Sequence, residues 1–257
     1  MLAPADVSTA AAGGLQYGLG RAHGEGRWLA LSSRRVTLSS GRTRLVPFTV
    51  RVPRSAKPGD HFLSITAVDS HARALRPGQG GIRLRLIPRL AMTVEVRVPG
   101  PRTRSLGVGP ISIVVQPSGA SLALRLQSPG NALISSTTGQ VSVSHEGSLL
   151  FGQPIELAAF VPKTAISLHV PWEGQPVEGT YRVTGTLRPQ GARAVSFDRT
   201  VSFGGDAIKQ FRRLTGRPAQ AGSSTPLVLI VLLAVAFSAA LIFGVAYWRV
   251  RRRVGGS

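Results

Sequence analysis

Several stretches of the chain alternate apolar and polar residues with a period of two, which restricts those stretches to strands with one buried face. Leu122, Leu124 and Leu126 alternate with Ala123, Arg125 and Gln127. Tyr181, Val183 and Leu187 alternate with Arg182, Thr184, Thr186 and Arg188. Met92, Val94, Val96 and Val98 alternate with Thr93, Glu95 and Arg97, and Val46, Phe48, Val50 and Val52 with Thr49 and Arg51. Turn residues fall between the runs: Pro58-Gly59-Asp60, Pro77-Gly78, Pro99-Gly100-Pro101, Pro129-Gly130-Asn131 and Glu173-Gly174. His145-Glu146-Gly147-Ser148 joins Val141 and Val143 to Leu149–Phe151 as a hairpin. Outside the C-terminal region no stretch sustains an apolar period of 3.6. Short strands at roughly 8–12-residue spacing predict antiparallel β-sandwiches.

One segment breaks this pattern. The 22 residues from Leu227 to Trp248 carry no charge. As a helix rising ~1.5 Å per residue they span ~33 Å, enough for a ~30 Å hydrocarbon core. Pro226 stands at the start, where a missing amide is tolerated. Tyr247 and Trp248 sit at interfacial depth, and Arg249, Arg251, Arg252 and Arg253 follow. This predicts one membrane span over 226–249, with the basic tail 250–257 cytoplasmic and the rest outside. The competing cluster Lys209, Arg212, Arg213 and Arg217 lies farther from the apolar run. Ala236, Ala240 and Gly244 have the small-x-x-x-small spacing of close helix pairs, which arises readily in an Ala-rich span.

The expected organisation is mainly β: two immunoglobulin-like β-sandwich units followed by one C-terminal transmembrane α-helix. Residues 1–27 form a poorly patterned N-terminal segment, 28–88 an incomplete first sandwich, 89–204 a second sandwich, and 205–225 a basic stalk. The first 30 residues hold no apolar run resembling a signal peptide. With the strand-poor first unit, this leads to the expectation that an upstream segment is missing. Read literally, the same start describes a tail-anchored chain with a cytosolic sandwich.

Two blocks carry a family resemblance. Trp28, Val36-Thr37-Leu38, Val46-Pro47-Phe48-Thr49-Val50-Arg51-Val52-Pro53 and Ala56-Lys57-Pro58-Gly59-Asp60-His61 form the first. Gly130-Asn131-Ala132-Leu133, Glu146-Gly147, Val161-Pro162, Val170-Pro171-Trp172 and Glu178-Gly179-Thr180-Tyr181 form the second. In their order they resemble the WxL-interacting proteins of Gram-positive bacteria, over about 28–253. The resemblance implies a cell-surface protein with a peptidoglycan-binding first domain and a second domain that binds a host or partner surface. Trp28, Trp172 and Trp248 are not followed by Leu two positions on. The chain would therefore be the partner of a WxL-type protein, not that protein itself.

Chemistry-bearing motifs are sparse. The chain has no cysteine, which excludes thiol catalysis, cysteine-ligated metals and disulfides. His23, His61, His71, His145 and His169 show no metal-ligand spacing, and neither a G-x-S-x-G elbow nor a phosphate loop is present. No catalytic, cofactor or metal site is expected. The net charge of +20 comes from 31 Lys+Arg against 11 Asp+Glu, with lysine only at 57, 163 and 209. Those cations are dispersed over strand faces and not interleaved with stacking aromatics, so no specific nucleic-acid binding is expected. Trp28 and Trp172 are the candidate ligand contacts, since an aromatic face can stack on a sugar ring; packing near a strand end is the competing reading.

The sequence thus points to a non-enzymatic, single-pass envelope protein. Its partners would be the membrane, peptidoglycan or anionic wall polymers, and a WxL-type or other surface protein. The alternatives are an accessory subunit docking by strand addition and a tail-anchored component with a cytosolic sandwich.

Overall fold

A computed structural model describes residues 1–69 and 87–215 of the chain. The expected membrane span, its flank (Tyr247, Trp248, Arg249, Arg251, Arg252, Arg253), His71 and the tail lie outside the described residues. Among the described residues no helix is long and apolar enough to cross a membrane.

The described chain is mainly β. Its strands are β1 (Leu2–Thr9), β2 (Leu15–Tyr17), β3 (Leu29–Leu31), β4 (Phe48–Val50), β5 (Gly59–Val68), β6 (Arg89–Val98), β7 (Gly107–Gln116), β8 (Gly119–Gln127), β9 (Thr137–His145), β10 (Ser148–Leu157), β11 (Ala165–Pro171), β12 (Gly179–Pro189) and β13 (Val195–Phe203). A single 3-10 turn, Glu25–Trp28, precedes β3, and helix α1 (Gly205–Thr215) follows β13. The strands assemble into sheets ordered β2-β1-β5-β6, β10-β9-β12-β13 and β11-β8-β7, with a small β3-β4 ribbon.

The second unit, β7–β13 with α1, places two sheets around one apolar core. Leu122, Leu124 and Leu126 of β8, Val141 and Val143 of β9, and Tyr181, Val183 and Leu187 of β12 are all fully buried in it. These are the residues whose alternation marks them as inward-facing, and each large one contributes ~1.5–3 kcal/mol by burial. The expected hairpin is present, with β9 and β10 joined by the two-residue turn Glu146-Gly147 and Ser148 opposite His145.

Four expectations need correction. The segment 1–27 contains β1, a strand inside the first sheet, pairing with β5 from Leu2↔Ala67 to Asp6↔Leu63 and with β2 from Val7↔Tyr17. Small residues in LAPADVST leave no apolar alternation to read. Pro4 falls where β5 is the sole registered neighbour, a place where a missing amide is tolerated.

The break between units lies after Val98, not at 88/89. β6 pairs with β5 along its whole length, from Gly59↔Val98 to Val68↔Arg89, so Pro99-Gly100-Pro101 begins the connection. The expected stalk begins instead as α1, whose Ile208 and Phe211 are buried in the second core. Finally, the expected strand over 44–52 shrinks to Phe48–Val50, and Phe48 and Val52 are exposed where a buried face was predicted. Among the described residues its strand partner is the three-residue β3, a ribbon too short to bury that face.

Candidate functional site: the joint between the units and the Trp172 groove

One piece of each motif block, Pro58-Gly59-Asp60 of the first and Gly130-Asn131 of the second, meets at a single place, the joint between the units. Asn131, the only asparagine of the chain, is bonded to both sides. Its Nδ2 donates to the Pro58 carbonyl at 2.9 Å and the Pro101 carbonyl at 2.8 Å, and its Oδ1 accepts from the Thr103 amide at 2.7 Å. Its own carbonyl accepts from the Asp60 amide at 2.8 Å. Gly59 makes this approach possible: its φ is +135°, and a Cβ there would lie 2.4 Å from the Asn131 carbonyl oxygen.

Asp60 is the charged centre of the joint. Its side chain has no exposed surface, and Oδ2 accepts from Arg102 Nη2 at 2.6 Å and from the Leu133 amide at 2.9 Å. Oδ1 has no hydrogen bond, but Arg97 Nε lies 3.4 Å away. Burial pushes the carboxyl pKa up, yet the Arg102 hydrogen bond, the Leu133 amide and the charges of Arg102 and Arg97 outweigh it, holding the group below its ordinary value.

A second contact fixes the end of β1. The Thr164 hydroxyl donates to the Val161 carbonyl at 2.8 Å, so Thr9 donates to Thr164 Oγ1 across 2.6 Å while accepting from the Val161 amide at 2.8 Å. The Gly14 amide donates to the Ala159 carbonyl at 2.7 Å. A Cβ on Gly13, whose φ is +83°, would lie 2.7 Å from the Ala158 nitrogen, so only glycine allows the backbones this close.

Behind the joint, Glu25 organises the 3-10 turn against β5. Its Oε1 lies 2.5 Å from His61 Nδ1, and its Oε2 accepts from the Phe62 amide at 3.1 Å. His61 Nε2 donates to the Lys57 carbonyl at 2.8 Å. Asp6 accepts from the amides of His23, Gly24 and Gly26. Burial raises its carboxyl pKa and the three amides lower it by more, leaving it below the ordinary value.

Between these contacts lies a cleft of about 220 Å³ that reaches Asp6, Glu25, Asp60, Asn131 and Lys163. Ligand pockets commonly hold ~300–1,000 Å³. The three carboxylates on its wall are already committed to amides, a histidine and arginines, so the arrangement works as a structural joint. Among the described residues no group of three His, Asp or Glu side chains could hold a metal.

The two candidate tryptophans are not brought together. Trp28 is half-buried in the first unit, its ring 4.8 Å from the His61 ring and its carbonyl accepting from the Arg51 amide. Trp172 belongs to the second core, only 8% exposed, with edge contacts to Phe151 at 5.3 Å and Tyr181 at 4.8 Å. It forms part of the wall of an open groove of about 950 Å³ running past Gln116–Ser121, His169 and Phe211. Both rings make packing contacts, Trp28 with His61 and Trp172 with Phe151 and Tyr181.

Other histidines have structural partners. His145 Nδ1 donates to the Thr180 carbonyl and its ring lies on Tyr181, while His169 Nδ1 meets the Ser121 hydroxyl at 3.1 Å. Sequence reasoning passed over Asp60, Arg102, Asn131, Thr9 and Glu25 as functional positions. The one available signal was the isolated asparagine directly after a Pro-Gly pair. No protein-family model matches the chain, and no curated protein does either.

Proposed function

We propose that the chain is a non-enzymatic, single-pass envelope protein that displays a jointed pair of β units to bind cell-wall components or surface proteins. The observation that carries this reading is the coupling of a 22-residue uncharged run, followed by arginines, to a mainly β body of strong cationic excess. The apolar run anchors the chain in the cell membrane with its C-terminus cytoplasmic and the β units extracellular. Cationic strand faces attract peptidoglycan-associated or other anionic wall polymers over a Debye length, about 8–10 Å at physiological salt.

We read the second unit as immunoglobulin-like. Its seven strands divide three and four, and Tyr181 near the start of β12 reaches back to Val177, with the hydroxyl donating to the carbonyl at 2.6 Å and accepting from the amide at 2.9 Å. That is the tyrosine corner of such domains. The first unit is a sandwich-like partner, a four-stranded sheet with the β3-β4 ribbon beside it. The resemblance to WxL-interacting proteins supports assigning wall binding to the first unit and partner binding to the second. The motif residues shared by the two blocks then act by fixing the angle between the units.

A second reading, docking of another protein by strand addition, is favoured by β6. Among the described residues this is an edge strand of the first sheet, and it leaves Leu90 76% and Met92 50% exposed. A pull-down of the full chain on purified wall material separates the two. Retention at low salt that fades with added salt supports wall binding; no retention, together with a protein partner that survives high salt, supports strand addition.

A further inference from the structure

The loop between β3 and β4, residues 32–47, combines two features that neither wall binding nor strand addition uses together. From residue 26 to residue 59 the chain has no Asp or Glu, yet this stretch and its flank hold Arg34, Arg35, Arg42, Arg44, Arg51 and Arg54. All six are exposed, and among the described residues none pairs with a carboxylate. Interleaved with them are large apolar side chains left in water: Leu45 is 89% exposed, Leu38 57%, Val52 42% and Phe48 39%.

The loop's base is fixed and its tip is folded back. The Ser32 amide donates to the Pro47 carbonyl at 3.0 Å, closing the base, and the Leu2 amide donates to the Arg34 carbonyl at 2.7 Å, tying it to β1. At the tip a turn closes with the Arg42 amide donating to the Ser39 carbonyl at 3.1 Å. Leu38 and Leu45 flank this turn, and Arg42 and Arg44 sit between them. The loop therefore presents exposed cations and leucines close together in the chain around one turn.

A hydrophilic polyanion would engage the arginines and leave the leucines in water. An anionic bilayer surface offers phosphate for the guanidinium groups and, a few ångströms deeper, acyl chain for Leu and Phe. We infer that loop 32–47 and its Arg51–Arg54 flank form a contact site for anionic phospholipid headgroups, with Leu38 and Leu45 entering the interface. This site is distinct from the expected span, and it rests on the chemistry of the loop whether or not the wall reading holds.

The test uses the full chain held in nanodiscs of neutral lipid, which occupy any membrane-spanning segment. Vesicles of phosphatidylcholine, alone or mixed with phosphatidylglycerol, are then added and floated. The chain is expected to float with the phosphatidylglycerol vesicles only. Arg42→Ser with Arg44→Ser, and separately Leu38→Ser with Leu45→Ser, are expected to abolish most of that flotation. Because the chain has no cysteine, a single Ser39→Cys can carry an environment-sensitive dye. Its emission should shift to the blue on the anionic vesicles, whereas a dye at Ser118→Cys on the β7–β8 turn should not respond. The inference is overturned by no flotation on anionic vesicles. It is equally overturned if the leucine variant floats like the parent with no blue shift at position 39, which would assign the loop to polyanions in general.

Discussion

The second unit and the first solve the same problem in opposite ways. In the second, two sheets close over a dry core, and Leu122, Leu124, Leu126, Val141, Val143, Tyr181, Val183 and Leu187 are fully buried. In the first, one sheet buries Leu63 and Phe62 of β5 but leaves its edge strand β6 largely in water. What it lacks in apolar cover is offset by polar contacts to its neighbour: Asp60 with Arg102 and Leu133, Asn131 with Pro58, and Thr9 with Thr164. The first unit thus takes its order from the joint, while the second stands on its own packing.

The largest effect should come from attacking the second core, on which both units depend. Leu124→Ala removes a fully buried side chain between sheets and should cost about 2–5 kcal/mol, read as a lower urea midpoint for the whole chain. Severing the joint should act on the first unit alone. Asn131→Ala deletes three side-chain hydrogen bonds at about 1 kcal/mol each, one to Pro58 of the first unit and two to the 101–103 connection that leads from it, so the joint is weakened by roughly 3 kcal/mol in all. Amide exchange should then accelerate in β1 and β5 while β8 and β12 stay protected.

Smaller still is Tyr181→Phe, which takes the hydroxyl from Val177 and should lower the stability of the second unit by about 1 kcal/mol without loosening the joint. The subtlest effect is acid. Asp60 and Asp6 are held below their ordinary value of 3.8 in the folded chain, so the stability they contribute is present above that value and is lost as pH falls below it. Acid should therefore release the first unit before the second, and Asp60→Asn should remove most of that difference between them.

The second unit was legible because large apolar residues alternate along β8 and β12, and a one-residue slip would have put every one of them in water. β1 was not legible, since Ala3, Pro4 and Ala5 give no contrast between faces and its partner β5 lies some sixty residues away. The unit boundary was missed for a related reason. The alternation of Met92–Val98 marks β6 as a strand, but nothing local says whether it pairs backward to β5 or forward to β7. The joint itself was visible as motif residues without a reason. Pro58-Gly59-Asp60 and Gly130-Asn131 are turn signals in sequence, and only the pairing of the two turns in space gives Asn131 all its partners. For Phe48 and Val52 the alternation misled, because a pattern marks a face as apolar without supplying the layer that would cover it.

The dependence of the first unit on a joint built by these motif residues is open to direct test. It is tested most directly by urea unfolding of the full chain in a Trp248→Phe background, following Trp28 and Trp172 separately through Trp172→Phe and Trp28→Phe. Coincident midpoints are expected for the two reporters in the parent. In Asn131→Ala the Trp28 midpoint should fall well below that of Trp172. If both reporters shift together, or neither moves, the first unit does not take its order from the joint and the claim is wrong.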